Sequence, residues 1–192
     1  MSKFIIEGGR PLSGSVTPSG NKNEALPALM ACLLTDKPIT LHRIPKIKDV
    51  LTTCEILEKL GVQVAWVGEE SVRLDASKAH SHKPDAELCS RVRASILFIG
   101  PLLSRFKKIE LPPPGGDVIG ARRIDSHFEV VEALGGSLEF GSPIVGRMKK
   151  IVGDDVYLDE PSVTATENFL LLAVLCEGKA TLYNFTHNNS FQ

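Results

Sequence analysis

The sequence predicts an α/β protein assembled from a repeated helix–strand unit of about seventy residues, and three observations carry that prediction. An apolar helical stretch passes through a polar break into a short alternating strand at three places. Ala25–Leu34 leads into Ile39-Thr40-Leu41, Ala94–Leu103 into Ile109-Glu110-Leu111, and Glu167–Leu175 into Ala180-Thr181-Leu182. The strand leucines Leu41, Leu111 and Leu182 recur at intervals of 70 and 71 residues. After the strand, the first two copies continue with a second helix closed by Leu60-Gly61 and Leu134-Gly135, which sets a full copy ending near residues 202 to 206. The chain stops at Gln192, so the third repeat is expected to be incomplete. Such units bury their apolar sides against neighbours, so Leu170, Leu171 and Val174 are expected to be poorly covered.

Taken in order, Phe4-Ile5-Ile6 and Gly14-Ser15-Val16 read as short strands separated by Gly8-Gly9-Arg10-Pro11. From Asn23, the residues Leu26, Leu29, Met30, Leu33 and Leu34 recur at helical spacing. Pro27 falls near the first turn, where a missing N–H is tolerated, and Lys37-Pro38 ends the helix. Ile39–Ile44 reads as a strand. Asp49 is placed to cap a helix carrying Val50, Cys54, Leu57 and Leu60, with Gly61 as its left-handed stop. Val62–Val67 and Ser71–Leu74 then form a hairpin around Gly68-Glu69-Glu70. In the second copy Ser126 and Glu129 have capping-box spacing at the start of a helix Phe128–Leu134. Gly135-Gly136 closes that helix, and Ser137–Phe140 and Val156-Tyr157-Leu158 supply the strands.

Bulk properties exclude several classes. With 22 basic and 23 acidic residues the chain has no general attraction for nucleic acid or an anionic membrane. The basic clusters Arg105–Lys108 and Arg147–Lys150 read as solvated surface. No apolar run approaches the ~20 residues that span a bilayer, and the N-terminus lacks the apolar stretch of a signal peptide. Cys32, Cys54, Cys89 and Cys176 are widely spaced at apolar helical positions, the pattern of buried reduced thiols. A cytoplasmic protein with neither nucleic-acid nor membrane partners is expected.

Two polar, glycine-marked segments interrupt the repeat near helix starts. In Ser19-Gly-Asn-Lys-Asn23 a lysine sits beside the unpaired N–H groups of a helix start, which suits an anionic ligand. A plain surface loop with an Asn cap is the other reading. In Pro112-Pro-Pro-Gly-Gly-Asp-Val-Ile-Gly-Ala-Arg-Arg-Ile-Asp125, glycines permit close backbone approach, and arginines suit phosphate or carboxylate capture. A solvated turn fits that pattern equally well. His80-Ser-His82 is half a metal site with no third ligand, so no metal and no cofactor are expected. His127 reads as a helix-surface residue and Trp66 as core or edge packing.

Ser19-Gly-Asn-Lys-Asn-Glu-Ala-Leu-Pro27, Arg91-Val-Arg-Ala-Ser95 and Leu111…Gly-Gly-Asp-Val-Ile-Gly-Ala-Arg122…Asp125 together resemble the UDP-N-acetylglucosamine 1-carboxyvinyltransferases, enolpyruvyl transferases of peptidoglycan precursor synthesis. The resemblance runs from about residue 3 to about residue 185, while Thr186–Gln192 do not continue the pattern. It implies an inside-out α/β barrel of two similar domains, each of three repeats, with substrates bound between them. Residues 1–21 would then be strands that pack on a second domain, and 22–192 the catalytic-loop domain, with the second domain itself absent from this chain.

By the same resemblance the substrates are phosphoenolpyruvate and UDP-N-acetylglucosamine. Lys22 and Asn23 match positions that bind phosphoenolpyruvate. Arg93 and the stretch Arg122, Arg123, Ile124, Asp125 and Ser126 match positions that contact the UDP-sugar, with Arg122 also near phosphoenolpyruvate. Ser162 and Val163 match a later nucleotide-contacting stretch, and Asp117 occupies the loop position of the general acid. Proton delivery to the methylene carbon, with cations holding phosphate and carboxylate, is the chemistry such a set supports.

The chain departs from the family pattern at three points. Asp117 stands where many members carry cysteine, Glu160 where many carry lysine, and the domain expected to supply the base for the sugar hydroxyl is missing. A separate C-terminal half is a possible partner. The alternative readings are a non-catalytic nucleotide-sugar-binding fragment or decayed pseudoenzyme, and the related shikimate-pathway transferase. The Gly-Gly-Asp-Val-Ile-Gly-Ala-Arg loop argues against the last. Lys22 and Arg122, each at a helix-proximal loop of equivalent repeats, are expected to open onto one shared cleft.

Overall fold

A computed structural model describes residues 3–116 and 123–186. The first unit holds α1 (Lys22–Ala31), a 3-10 turn (Cys32–Leu34), β1 (Ile39–His42), α2 (Lys48–Lys59), β2 (Gln63–Trp66) and β3 (Ser71–Asp75). The second holds α3 (Ala86–Cys89), a 3-10 helix (Arg93–Phe98) running directly into α4 (Ile99–Phe106), β4 (Lys108–Leu111), α5 (Asp125–Ala133), β5 (Gly136–Glu139) and β6 (Ile144–Met148). The third holds β7 (Asp155–Tyr157), α6 (Val163–Ala173) and β8 (Thr181–Tyr183).

The repeat is visible in the sheets. The first two are antiparallel with strand orders β1-β3-β2 and β4-β6-β5, so the last strand of each unit lies in the middle. The third unit gives a parallel β7-β8 pair joined through α6, with no counterpart of β3 or β6 among the described residues. The predicted incomplete third repeat is what the fold contains.

The helix α4 lies inside, whereas α2 buries one face and leaves Leu51, Glu55 and Glu58 exposed. Along α4 every residue from Ile99 to Ser104 is buried, which requires neighbours on all sides rather than one apolar stripe. The strands instead alternate: Val72 and Leu74 point into the core while Arg73 faces out, and Ile109 and Leu111 repeat this in the second sheet.

A side-chain amide pins the inner helices together. Asn168, on α6 and fully buried, accepts a hydrogen bond from the Gly100 N–H at 2.8 Å and donates to the Ile96 carbonyl at 3.0 Å. Those two groups are four residues apart, the pair an uninterrupted α-helix would join directly. The carboxamide thus meets the helix where 3-10 geometry gives way to α4, the kind of insertion that bends a helix. Gly100 permits the approach, since a Cβ there would lie 3.0 Å from the Asn168 Oδ1 and 3.1 Å from the Leu171 Cβ. The remaining Asn168 N–H donates to His127 Nδ1 at 2.8 Å.

Several sequence expectations are corrected. Phe4–Ile6 and Gly14–Val16 form no strand, because no sheet edge among the described residues pairs with them, and their apolar side chains stay exposed. Asp49 does not cap α2; it lies in the first turn behind Ile47. The Ser126–Glu129 capping box is also not formed, as α5 starts at Asp125 and both side chains bond the Asp159-Glu160 segment instead. Ile144–Met148, unread as a strand, is the centre of the second sheet, and Val156–Tyr157 belongs to the third unit. His127 is buried, not on the helix surface. Leu170 and Val174 are exposed as expected, whereas Leu171 is covered. Gly61 and Gly135 do close their helices with left-handed backbone.

Arg105 is the other misread residue, since it is not solvated surface. Its side chain is 16% exposed and reaches back to the first unit. It donates to the carbonyls of Leu33 and Ala76 at 3.1 and 2.7 Å and to the Asp36 carboxylate at 2.5 Å. Arg105→Ala strips donors from carbonyls that close the first unit, and is expected to cost roughly 2–3 kcal/mol. The measurement is the urea midpoint at unchanged m-value; a shift equivalent to less than about 0.5 kcal/mol would show that this link is dispensable.

Candidate functional site

The first turns of α1 and α6 and the 3-10 helix of the second unit converge on one cavity of about 230 Å³, lined by Asn23, Leu26, Pro27, Ala94, Val163 and Glu167 among others. Equivalent segments of three repeats meet there because the inner helices run side by side. Two of the predicted site residues, Asn23 and Val163, form its wall, and Arg93 precedes the lining residue Ala94. Asn21 caps α1 through the Asn23 N–H at 2.9 Å, and Ser162 caps α6 through the Ala165 N–H at 3.3 Å. Ser162 therefore acts on the helix start that borders the cavity.

Lys22, the first residue of α1, is held by Asp49 at 2.9 Å across to the first turn of α2. Arg123, Asp125 and Ser126 gather around Glu160. Arg123 pairs with Asp125 at 2.7 Å and lies 3.5 Å from the Glu160 carboxylate, while the Ser126 hydroxyl donates to the Glu160 carbonyl at 3.3 Å. Glu160 is thus an anchor for the predicted stretch. Ile124 is the residue before α5 and packs half-buried against the core. Asp117 and Arg122 lie outside the described residues, and with Arg122 the expected shared cleft with Lys22.

The segment leading toward Asp117 is seated beside Arg93. The Gly115 N–H donates to the Cys89 carbonyl at 3.1 Å, and that of Gly116 to the Ser90 carbonyl at 3.3 Å. A Cβ on Gly115 would overlap the Ser90 carbonyl oxygen at 1.7 Å, so only glycine crosses there.

Two titratable groups that sequence reasoning missed lie at the cavity, Glu167 in its wall and His127 behind the lining residue Thr164. His127 accepts from the Asn168 amide at Nδ1, so its ring proton sits on Nε2, 3.2 Å from the Thr164 hydroxyl. Burial, reinforced by the Arg93 charge, pushes its pKa down to about 3, and the ring stays neutral. Glu167 is only 4% exposed, lines the cavity, and is also part of the wall of a neighbouring apolar groove of about 420 Å³ between α1 and α6. No described residue bonds its carboxyl, and burial raises its pKa to about 7. The one available sequence signal was a carboxylate next to Asn168 at the head of Phe169-Leu-Leu-Leu172.

Cys32, Cys54 and Cys89 are buried thiols with pKa values raised to about 12, free of disulfides and far from a reactive thiolate. His80 Nδ1 lies against the Lys78 carbonyl and His82 Nε2 is 3.6 Å from Glu110. No cluster of three metal-ligating side chains occurs among the described residues. No described helix is long and apolar enough to cross a membrane.

Known proteins resemble this chain in sequence and in fold. The family model for EPSP synthase (3-phosphoshikimate 1-carboxyvinyltransferase) matches residues 6–190. The chain is 47% identical over 182 residues to the UDP-N-acetylglucosamine 1-carboxyvinyltransferase of Bradyrhizobium diazoefficiens, covering 95% of this chain and 42% of that protein. It is 44% identical over 184 residues to the protein of the same name from Treponema denticola, covering 96% and 43%. The fold is similar to the crystal structure of the enolpyruvyl transferase NikO from Streptomyces tendae, with a TM-score of 0.76 at 22% identity, over 91% of this chain and 42% of that one. An EPSP synthase from Acinetobacter baumannii gives a TM-score of 0.68 at 15% identity, over 88% and 40%. The chain spans about two fifths of the length of the relatives it matches.

The two buried groups fix a pH signature. His127, depressed when folded, removes stability as pH falls from its unfolded value near 6.5 toward 3. Glu167, raised when folded, contributes stability below about 4.5 that is lost as pH rises through 7. His127 titrates alike in both proteins, so Glu167→Gln is expected to match the wild type at about pH 4.5 and below. It should then gain on the wild type toward pH 8, to a ceiling of roughly 3 kcal/mol. Denaturation at a series of pH values gives the result; parallel curves would mean that Glu167 is not desolvated.

Proposed function

The chain belongs to the EPSP synthase (3-phosphoshikimate 1-carboxyvinyltransferase) family, and on that premise we propose that it is the loop-bearing part of a UDP-N-acetylglucosamine 1-carboxyvinyltransferase. The reaction is transfer of enolpyruvyl from phosphoenolpyruvate to the 3′-hydroxyl of UDP-N-acetylglucosamine with release of phosphate, a step of peptidoglycan precursor synthesis in the cytoplasm. Identity of 42–47% to proteins of that name along nearly the whole chain favours this substrate over the shikimate-pathway alternative. The observation that carries the reading is the cavity itself. Asn23, Val163 and the residue after Arg93, drawn from three separate motifs, line one wall.

In this reading Lys22 and Asn23 hold phosphoenolpyruvate, with Arg122 as a second cation. Arg93, the stretch Arg123–Ser126, Ser162 and Val163 contact the UDP-sugar. Asp117 delivers the proton to the methylene carbon. A carboxylic acid that donates a proton near neutral pH needs its pKa raised by desolvation, which closure of a loop over the substrates supplies. The exposed apolar side chains of Phe4, Ile5, Ile6, Leu12 and Val16 suit residues 1–21 to packing on a further domain. That domain, or a separate C-terminal half, would supply the base for the sugar hydroxyl and exclude water.

The 192 residues alone are expected not to turn over the two substrates at a useful rate, because losing a positioned base typically costs about 10²–10⁴-fold and one open wall leaves cations screened. Phosphate release is measured with both substrates, with and without a separately expressed C-terminal half of a relative. The half should restore release. Robust release by this chain alone would mean the site is completed elsewhere.

A further inference from the structure

Glu167 has no role in the reading above, yet it is the most unusual group in the cavity. It is nine-tenths buried, no described residue bonds its carboxyl, and it lines the cavity between the first turns of α1 and α6. Its oxygens are not among the buried polar atoms sealed from contact, and Glu167 borders two open spaces, this cavity and the apolar groove beside it; the cavity is the one that also takes in Asn23, Val163 and Thr164 at the helix starts. The helices are 10 and 11 residues long, and their unpaired first-turn amides and positive dipole ends favour a negative charge in that space. An ionised carboxylate in the wall opposes the same charge. A protonated one offers an O–H donor to it.

We propose that Glu167 is a proton-linked ligand contact: an anion of the phosphate, sulfate or carboxylate class enters this cavity as Glu167 takes up one proton from solvent, and the resulting carboxylic acid donates a hydrogen bond to it. The proposal rests on the reading of this cavity as part of the substrate cleft and adds a residue and a pH dependence to it. The other charged and titratable groups nearby leave the linkage to Glu167. From α1, Glu24 shares the adjoining groove, and Lys22 is held by Asp49. Arg93 begins the 3-10 helix. His127, from α5, is neutral down to about pH 3 and does not titrate where Glu167 does. The raised pKa of about 7 places the switch at neutral pH.

The test uses the 192-residue chain labelled with carbon-13 at the glutamate carboxyls, titrated by NMR between pH 5 and 9 at constant ionic strength. Two probes that keep their own charge across neutrality are added separately, sulfate and UDP-N-acetylglucosamine. The Glu167 midpoint should rise by at least about half a pH unit with bound anion, and anion affinity should fall up to about tenfold per pH unit above the midpoint. Glu167→Gln should bind sulfate equally at pH 6 and pH 8. A midpoint unmoved by both anions overturns the proposal, and this wild-type readout stands even if the variant fails to fold. If the nucleotide sugar binds while both probes leave the midpoint fixed, the functional reading survives and the Glu167 role does not. If sulfate raises the midpoint but the nucleotide sugar does not bind, Glu167 keeps its role and the substrate assignment falls.

Discussion

The architecture depends on one buried carboxamide. Asn168 on α6 joins the Ile96 carbonyl and the Gly100 N–H of the neighbouring helix and spends its last donor on His127 from α5. A fully buried amide with any of these bonds missing would carry the desolvation cost of an unpaired polar group, about 1–3 kcal/mol, so the three elements are held in one relative placement. Apolar packing around α4 supplies the bulk of the stability, but packing alone tolerates sliding of one helix along another. The directional bonds remove that freedom.

The placement has a consequence at the end of the helices. The His127 ring that Asn168 orients also meets Thr164 in the first turn of α6, beside the cavity lined by Asn23 and Val163. Core geometry and site geometry are thus two ends of one set of helices. A residue such as Asn23 reaches the cavity because α1 lies against the same inner helix, not because its own loop aims it there. Arg105 reinforces the arrangement from the far end of α4, closing the first unit onto the second.

The sequence made the periodic parts of this structure legible. A period of 3.6 leading into a period of 2 at seventy-residue intervals identified the units, and glycine marked Gly61 and Gly135 as helix ends. The motif residues at Asn23 and Val163 were legible through resemblance to a family and do meet at one cavity. What stayed hidden depends on partners far away in the chain. Phe4–Ile6 has strand composition but no strand edge to pair with among the described residues, and Ile144–Met148 reads poorly because Val145 puts an apolar residue on the outward side and Gly146 leaves an inward position without a side chain. His127 beside a polar Ser126 looks like surface until α6 covers it. Arg105 looks like part of a basic cluster until three carbonyls turn toward it. Glu167 carries only one weak local sign, a carboxylate beside Asn168 at the head of an apolar run.

The most direct measurement of this account is the nitrogen-15 NMR spectrum of the His127 imidazole as a function of pH. Accepting at Nδ1 from Asn168 and donating from Nε2 toward Thr164, the ring should remain a neutral Nε2–H tautomer throughout the range in which an ordinary histidine, near 6.5, gains its second proton. An imidazole that titrates near 6.5, or that carries its proton on Nδ1, would show that the Asn168 network does not hold the inner helices together.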